Sequence, residues 1–310
     1  MSEVAPQSSG DAVFEAHRKH LVGVGYRMLG SVADAEDMAQ EAYLRWHDSK
    51  DRVPVENPRA YLTRIVIRLC LDRLKSAQAR REVYIGPWLP EPVLGNPFTV
   101  QNALTDLAED LSFALLLTLE RLSPLERAAF LLHDVFDMGF DEIADVLERT
   151  EASCRQLASR ARDHVRSERP RFRPSQEQRE RLTTAFMTAA QSGDPQSLAR
   201  LLAEDAVLLS DGGGRVPAAL NPIHGRENIS RLVVGLSQKL KDYPDIRWTT
   251  ALVNGLPGLF FFDSAGPVQT LALEENAGGL ISGIYVVRNP DKLRHLSSGA
   301  TVSDGTAQPH

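Results

Sequence analysis

The stretch from Phe140 to Arg166 constrains this chain most, because it holds two short amphipathic segments that can bury their apolar faces only against each other and a supporting helix. Phe140, Ile143, Ala144 and Leu147 recur at i, i+3, i+4 and i+7, and Asp141 stands as a cap after the breaker Gly139. Thr150 caps the second segment. There Cys154, Leu157, Ala158, Ala161 and Val165 form an apolar stripe, with Arg155, Ser159, Arg162 and Arg166 on the opposite one. The spacing predicts a helix-turn-helix whose second helix fits a DNA major groove, its guanidinium groups suited to phosphates and guanine edges. A plain helical hairpin with a solvated arginine face would show the same pattern.

A net charge of −6 over 310 residues sits awkwardly with DNA binding until the charge is located. Residues 83–139 hold two cations against eight acids, so much of the acidity lies between the basic segments rather than on them. Within a Debye length of about 10 Å, local helix faces decide what meets a phosphate backbone. The two cysteines, Cys70 and Cys154, have no partner at ligand spacing, which argues against a disulfide framework or a zinc site. No apolar run reaches membrane-spanning length and no leader-like segment opens the sequence, so a cytoplasmic location is expected, with no membrane partner and no cofactor.

Upstream of that pair, helices are predicted at Phe14–Leu29 and, opened by Ser31, to about Trp46. The second exposes Asp34, Asp37, Gln40 and Glu41, an acidic face suited to solubility or to a basic partner. Asn57-Pro58 starts a third helix, in which Arg59, Arg64, Arg68, Arg73, Lys75, Arg80 and Arg81 face a single Asp72. Such a density of cations points to nucleic acid, against the alternative of a solvated basic face. Ser123-Pro124-Leu125-Glu126 combines cap, first-turn proline and capping-box glutamate, and the helix it starts supports the arginine-rich pair.

The C-terminal part changes character. Helices around Leu182–Ala189 and up to Leu202 lead to a strand at Val207–Ser210 and a helix at Arg226–Lys239. Strands follow at Ile246–Val253, Leu259–Phe262, Val268–Glu274 and Leu280–Arg288, an α+β order. Asp211 precedes three glycines and is explained by that turn, and His224 follows a proline-containing loop; neither makes a convincing catalytic group.

Specific motifs then tie these parts together. Asp34-Ala35-Glu36-Asp37 with Gln40-Glu41, Asn57-Pro58-Arg59-Ala60-Tyr61-Leu62, and Cys70-Leu71-Asp72-Arg73-Leu74-Lys75 resemble region 2 of an extracytoplasmic-function sigma factor, and the helix-turn-helix resembles region 4. Trp88-Leu89-Pro90-Glu91-Pro92, Asp211-Gly212-Gly213-Gly214 and Asn289-Pro290-Asp291-Lys292-Leu293 resemble the subgroup with a fused SnoaL-like domain. The resemblance implies two all-α domains followed by an α+β cone of the SnoaL or nuclear-transport-factor-2 type. Region 2 would span 12–82, a linker 83–105, region 4 106–168, a second linker 169–175, the cone 176–296 and a loose tail 297–310. Two departures stand out: Arg68 replaces an asparagine common in such factors, and Glu148 stands where relatives often carry glycine.

What the resemblance implies is a non-enzymatic initiation factor, monomeric, whose partners are core RNA polymerase and promoter DNA, with a small ligand in the cone as a further possible partner. Asp37, Gln40 and Glu41 would contact polymerase. Arg59, Arg64, Arg68, Arg73 and Lys75 would meet the melting downstream element; Arg155, Ser159 and Arg160 would read the upstream element, with Arg162 and Arg166 on phosphates. Trp88, Leu89, Glu91, Asn289, Asp291, Lys292 and Leu293 would form a regulatory contact between linker and cone, Lys292 meeting Glu91. A helix-turn-helix regulator with a ligand-binding domain, or a SnoaL-like enzyme, would leave the acidic face and the basic helix unused.

Overall fold

The computed structural model describes residues 10–49, 57–81, 84–95, 111–168 and 176–298, which divide into two compact units. The first holds the described residues up to 80 and those from Thr118 to Ser167; the second holds 84–95, Leu111–Leu117 and everything from 176 onward.

In the first unit, α1 (Gly10–Leu29) and α2 (Val32–Ser49) are separated by Gly30, whose φ of 68° ends α1, and Ser31 Oγ accepts the Asp34 amide at 3.1 Å to start α2. The next helix, α3 (Pro58–Arg81), is opened by Asn57, whose side chain accepts the Ala60 amide. Their core is apolar: Leu21, Val24 and Met28 from α1, Ala35, Ala39 and Ala42 from α2, Leu62, Val66 and Cys70 from α3. A second group of helices comprises α4 (Phe113–Arg121), of which only the part from Thr118 belongs to this unit, α5 (Pro124–Phe130), α6 (Phe140–Leu147) and α7 (Glu151–Glu168), with a π-helical turn at Leu131–Val135 after α5. The capping box at Ser123 and Glu126 forms as anticipated. At α6 the box differs, since Glu142 rather than Asp141 reaches the Gly139 amide. The tight turn survives without glycine because Glu148 itself adopts the left-handed conformation, φ 54°, and Thr150 Oγ1 caps α7 through Ser153.

Polar groups join these helices at depth. Arg127, 3% exposed, donates to the Met28 carbonyl at the end of α1 and pairs with Glu120 at 2.9 Å. His20 bonds Thr63 Oγ1 and packs edge-on to Phe136, over which Arg27 also lies.

The second unit is the α+β domain, extended by chain from the linker. After α8 (Gln176–Gln191) and α9 (Pro195–Ala199) come β1 (Leu202–Asp211), β2 (Ile223–His224), α10 (Arg226–Leu240), β3 (Arg247–Val253), β4 (Leu256–Asp263), β5 (Gly266–Glu275), β6 (Ile281–Val287) and α11 (Pro290–Leu293). The chain enters β1 at Leu202, where a helix had been expected to end, because α9 stops three residues earlier. The sheet order is β2-β1-β6-β5-β4-β3, antiparallel except for β1 beside β6. Leu259, Phe261, Leu271, Leu273, Ile281 and Ile284 pack with Phe186, Leu198 and Ile229 from the helices. Alternation sends Phe260, Ala272, Tyr285 and Val287 into a separate cluster, completed by Leu89 from the linker, Phe113 from α4, and Leu293. The helix that opens the stretch assigned to region 4 is described from Phe113; residues 96–110 lie outside the described set, as do the second linker and the tail beyond 298.

Candidate functional site

On α2, Asp37 and Gln40 are exposed, while Glu41 accepts from Arg45 one turn later at 3.0 Å. Asp34 is drawn out of the acidic face by an ion pair with Arg73. Along α3, Arg59 is exposed and Lys75 pairs with Asp72 at 2.9 Å. Arg64 lies 4.0 Å from Glu142, and Arg68 donates to the carbonyls of Asp145 (2.8 Å) and Val146 (3.2 Å), with Glu148 at 3.4 Å. Arg68 therefore caps the C-terminus of α6, where unpaired carbonyls carry partial negative charge. Asparagine, two methylenes shorter and uncharged, lacks that reach.

Of the α7 arginines, none of those whose side chains are described stands alone. Arg155 pairs with Glu151 at 2.5 Å and lies 5.3 Å from the Phe140 ring centre. Arg160 donates to Glu126 at 2.8 Å, and Arg162 to Asp134 at 2.7 Å. Both acids are mostly buried and belong to the supporting helix and the turn after it. Burial alone would raise the Glu126 pKa; the hydroxyl and amide of Ser123 and the charge of Arg160 more than offset this and hold it below the ordinary value. Ser159 is exposed, and the Arg166 side chain lies outside the described residues.

The most developed polar cluster is in the second unit. Asp211, wholly buried at the end of β1, receives Lys292 Nζ at 2.7 Å, the Leu89 amide at 2.8 Å and the Tyr84 hydroxyl at 2.6 Å. Lys292 also donates to the Leu89 carbonyl at 2.5 Å, and its ammonium lies 4.3 Å from the Trp88 ring centre and 4.9 Å from that of Tyr84. A buried charge pair gains only when its remaining hydrogen-bonding capacity is met, and here linker groups supply the missing partners. Burial, reinforced by the bond to Asp211 and its charge, raises the Tyr84 pKa, so the phenol stays a donor.

The local chain explains the cluster. Asn289 caps α11 through the Asp291 amide, which fixes Lys292 on its first turn, and its side-chain amide donates to Tyr84 at 3.0 Å. Gly213 takes φ 58°, and a Cβ there would fall 2.1 Å from Asn289 Nδ2, so the glycine turn is required by close approach as well as by backbone conformation.

Lys292 pairs with the fully buried Asp211, a partner not anticipated, and Glu91 sits 4.0 Å from His295, whose other ring nitrogen contacts the Pro92 carbonyl. Asp291 pairs outward with Arg215 and Arg294. Leu89 and Leu293 are both buried in the apolar cluster behind Phe113.

Three residues of this site were not anticipated. Asp211 had been assigned to its turn. Tyr84 adjoins the Trp88 motif but carries no pattern of its own. Asn254, in a hairpin turn with φ 52°, donates its amide N–H to the Val93 carbonyl, accepts from the Val93 amide at 3.0 Å through its side chain, and donates from that side chain to the Leu111 carbonyl at 3.1 Å. An Asn-Gly pair between strands signals a turn and hides such a role. His224 is exposed on a two-residue edge strand.

The family description Sigma-70 region 2 matches residues 13–80, and Sigma-70, region 4 matches residues 112–165. The chain is 40% identical over 307 residues to the ECF RNA polymerase sigma factor SigJ of Mycobacterium tuberculosis, covering 96% of each chain. It is 32% identical to the probable ECF RNA polymerase sigma factor SigI of the same organism, covering 96% of this chain and 98% of that one. The crystal structure of M. tuberculosis SigJ superposes with a TM-score of 0.71 at 36% identity, covering 92% of this chain and 98% of the other. No helix among the described residues is long and apolar enough to cross a membrane.

Proposed function

Since this chain belongs to the extracytoplasmic-function RNA polymerase sigma factors, we propose that its two helical regions bind core RNA polymerase and read promoter DNA in the cytoplasm, while its α+β domain regulates them in cis by gripping the linker. It acts as an initiation factor rather than an enzyme. Asp37, Gln40 and Glu41 offer acid to a basic surface of polymerase. Arg59, Arg64, Arg68, Arg73 and Lys75 supply cations along α3 for the downstream element, and Arg64 and Arg68 must leave α6 to do so.

The observation that carries the regulatory part is the Asp211–Lys292 pair closed around the Leu89 backbone. A linker held at Tyr84, Trp88 and Leu89 is tethered within its own chain. An intramolecular contact has a high effective concentration, so a modest interface keeps it docked until polymerase competes for the linker. Reconstitution with core polymerase tests the reading. The intact chain directs promoter-specific initiation, and charge reversal at Asp37 and Glu41 removes holoenzyme assembly while leaving the fold intact. Normal assembly by that double variant would remove the role given to the acidic face.

A further inference from the structure

The direction of α7 that points straight away from its buried stripe is not where its arginines lie, although Arg155 and Arg160 are exposed beside it. Cys154, Leu157, Ala158, Ala161 and Val165 are buried, and at 3.6 residues per turn the direction opposite them is taken by Ala152, Gln156, Ser159 and Asp163, all exposed. Arg155 and Arg162 fall on one flank of that stripe and Arg160 on the other. The flanking cations are also committed: Arg155 to Glu151, Arg160 to Glu126, Arg162 to Asp134. Gln156 is an exposed side chain that no hydrogen bond or ion pair occupies among the described residues.

A recognition helix presents its N-terminal turns to base edges, and small neighbours let its axis approach the groove. Ala152 and Ser159 are such neighbours, one turn before and one after Gln156. Asp163, further along the same stripe, would repel phosphates and confines base contact to the first two turns. A carboxamide offers one donor and one acceptor side by side, the complement of adenine N7 and N6 in the major groove. We propose that Gln156 reads an adenine of the upstream promoter element through this paired bond, while Arg155 and Arg160 on the two flanks hold the backbone phosphates. The inference rests on the reading of α6 and α7 as a promoter-binding region, and it moves base recognition from the arginines to the glutamine between them.

The test uses holoenzyme assembled from core polymerase and the full chain, with binding measured on a promoter library randomised across the upstream element. The wild type selects adenine at one position. Gln156→Ala loses that selection, by about 5- to 150-fold at the one position, and keeps the others. Gln156→Glu, able only to accept, shifts the same position toward cytosine. Wild-type selectivity in both variants, or equal weakening at every position, overturns the proposal while leaving the region's promoter-binding role in place. A wild-type holoenzyme with no preference anywhere in the upstream element overturns both.

Discussion

Asp211 and Lys292 form an ion pair of 2.7 Å in the interior of the α+β domain, and both hold the backbone of Leu89, one through its amide and the other through its carbonyl. The pair is therefore a receptor for one peptide unit of the linker as well as a bridge between β1 and α11.

Removing either charge leaves the other buried without its counter-ion. Lys292→Met or Asp211→Asn should each lower stability by about 3 to 5 kcal/mol, whereas the double variant should lose less than the sum because no uncompensated charge remains. Urea unfolding of the four chains of this cycle measures the coupling.

Gly213→Ala should act on the same site through the backbone. Its left-handed φ and the contact with Asn289 make any side chain strained, at a cost of about 1 to 3 kcal/mol, and the displaced Asn289 would release Tyr84. The expected readout is a lower melting midpoint together with faster proteolysis near Tyr84.

A different dependence is expected from His20. Burial first, then the charges of Arg59, Arg27 and His17, pull its pKa down to about 3 from 6.5. Between those values the unfolded chain binds a proton that the folded one refuses. The stability tied to a neutral His20 is thus complete above about pH 6.5 and declines as pH falls toward 3. On the order of 2 kcal/mol should be lost between pH 7 and pH 5. His20→Asn should flatten this slope in pH-dependent unfolding.

Arg160 should prove partly structural. Its pair with Glu126 is exposed on the arginine side, so Arg160→Ala should cost about 0.5 to 1 kcal/mol by thermal melting. Because the Glu126 pKa is held low in the fold, its contribution is present above the unfolded carboxylate value and lost as pH falls through the folded one. Arg160→Ala should move that acid transition upward.

Local chemistry was legible and distant chemistry was not. Ser123-Pro124-Leu125-Glu126 announces a helix start because cap, proline and glutamate act on one another within a single turn. The strands of the α+β domain and the helix-turn-helix follow from short periodicities in the same way. Asp211 meets Leu89 and Lys292 across 122 and 81 residues, and nothing in its own neighbourhood distinguishes it from an aspartate that opens a glycine turn. Glu91 was the nearer-seeming partner for Lys292 because it shares a motif with Leu89. Asp211, far from that motif in the chain, holds the ammonium at 2.7 Å, and Glu91 lies 4.0 Å from His295. The arginines of α7 were assigned to DNA by type, whereas their acidic partners Glu126 and Asp134 lie 34 and 28 residues earlier.

The grip on the linker is tested most directly by hydrogen exchange at the Leu89 and Val93 amides, both bonded to side chains of the α+β domain. In the free chain these amides should be protected, Leu89 losing its protection in Lys292→Met, and both should exchange rapidly once core polymerase is bound. Equal protection in the free chain and the holoenzyme would contradict the account, since the domain would then hold the linker without ever yielding it.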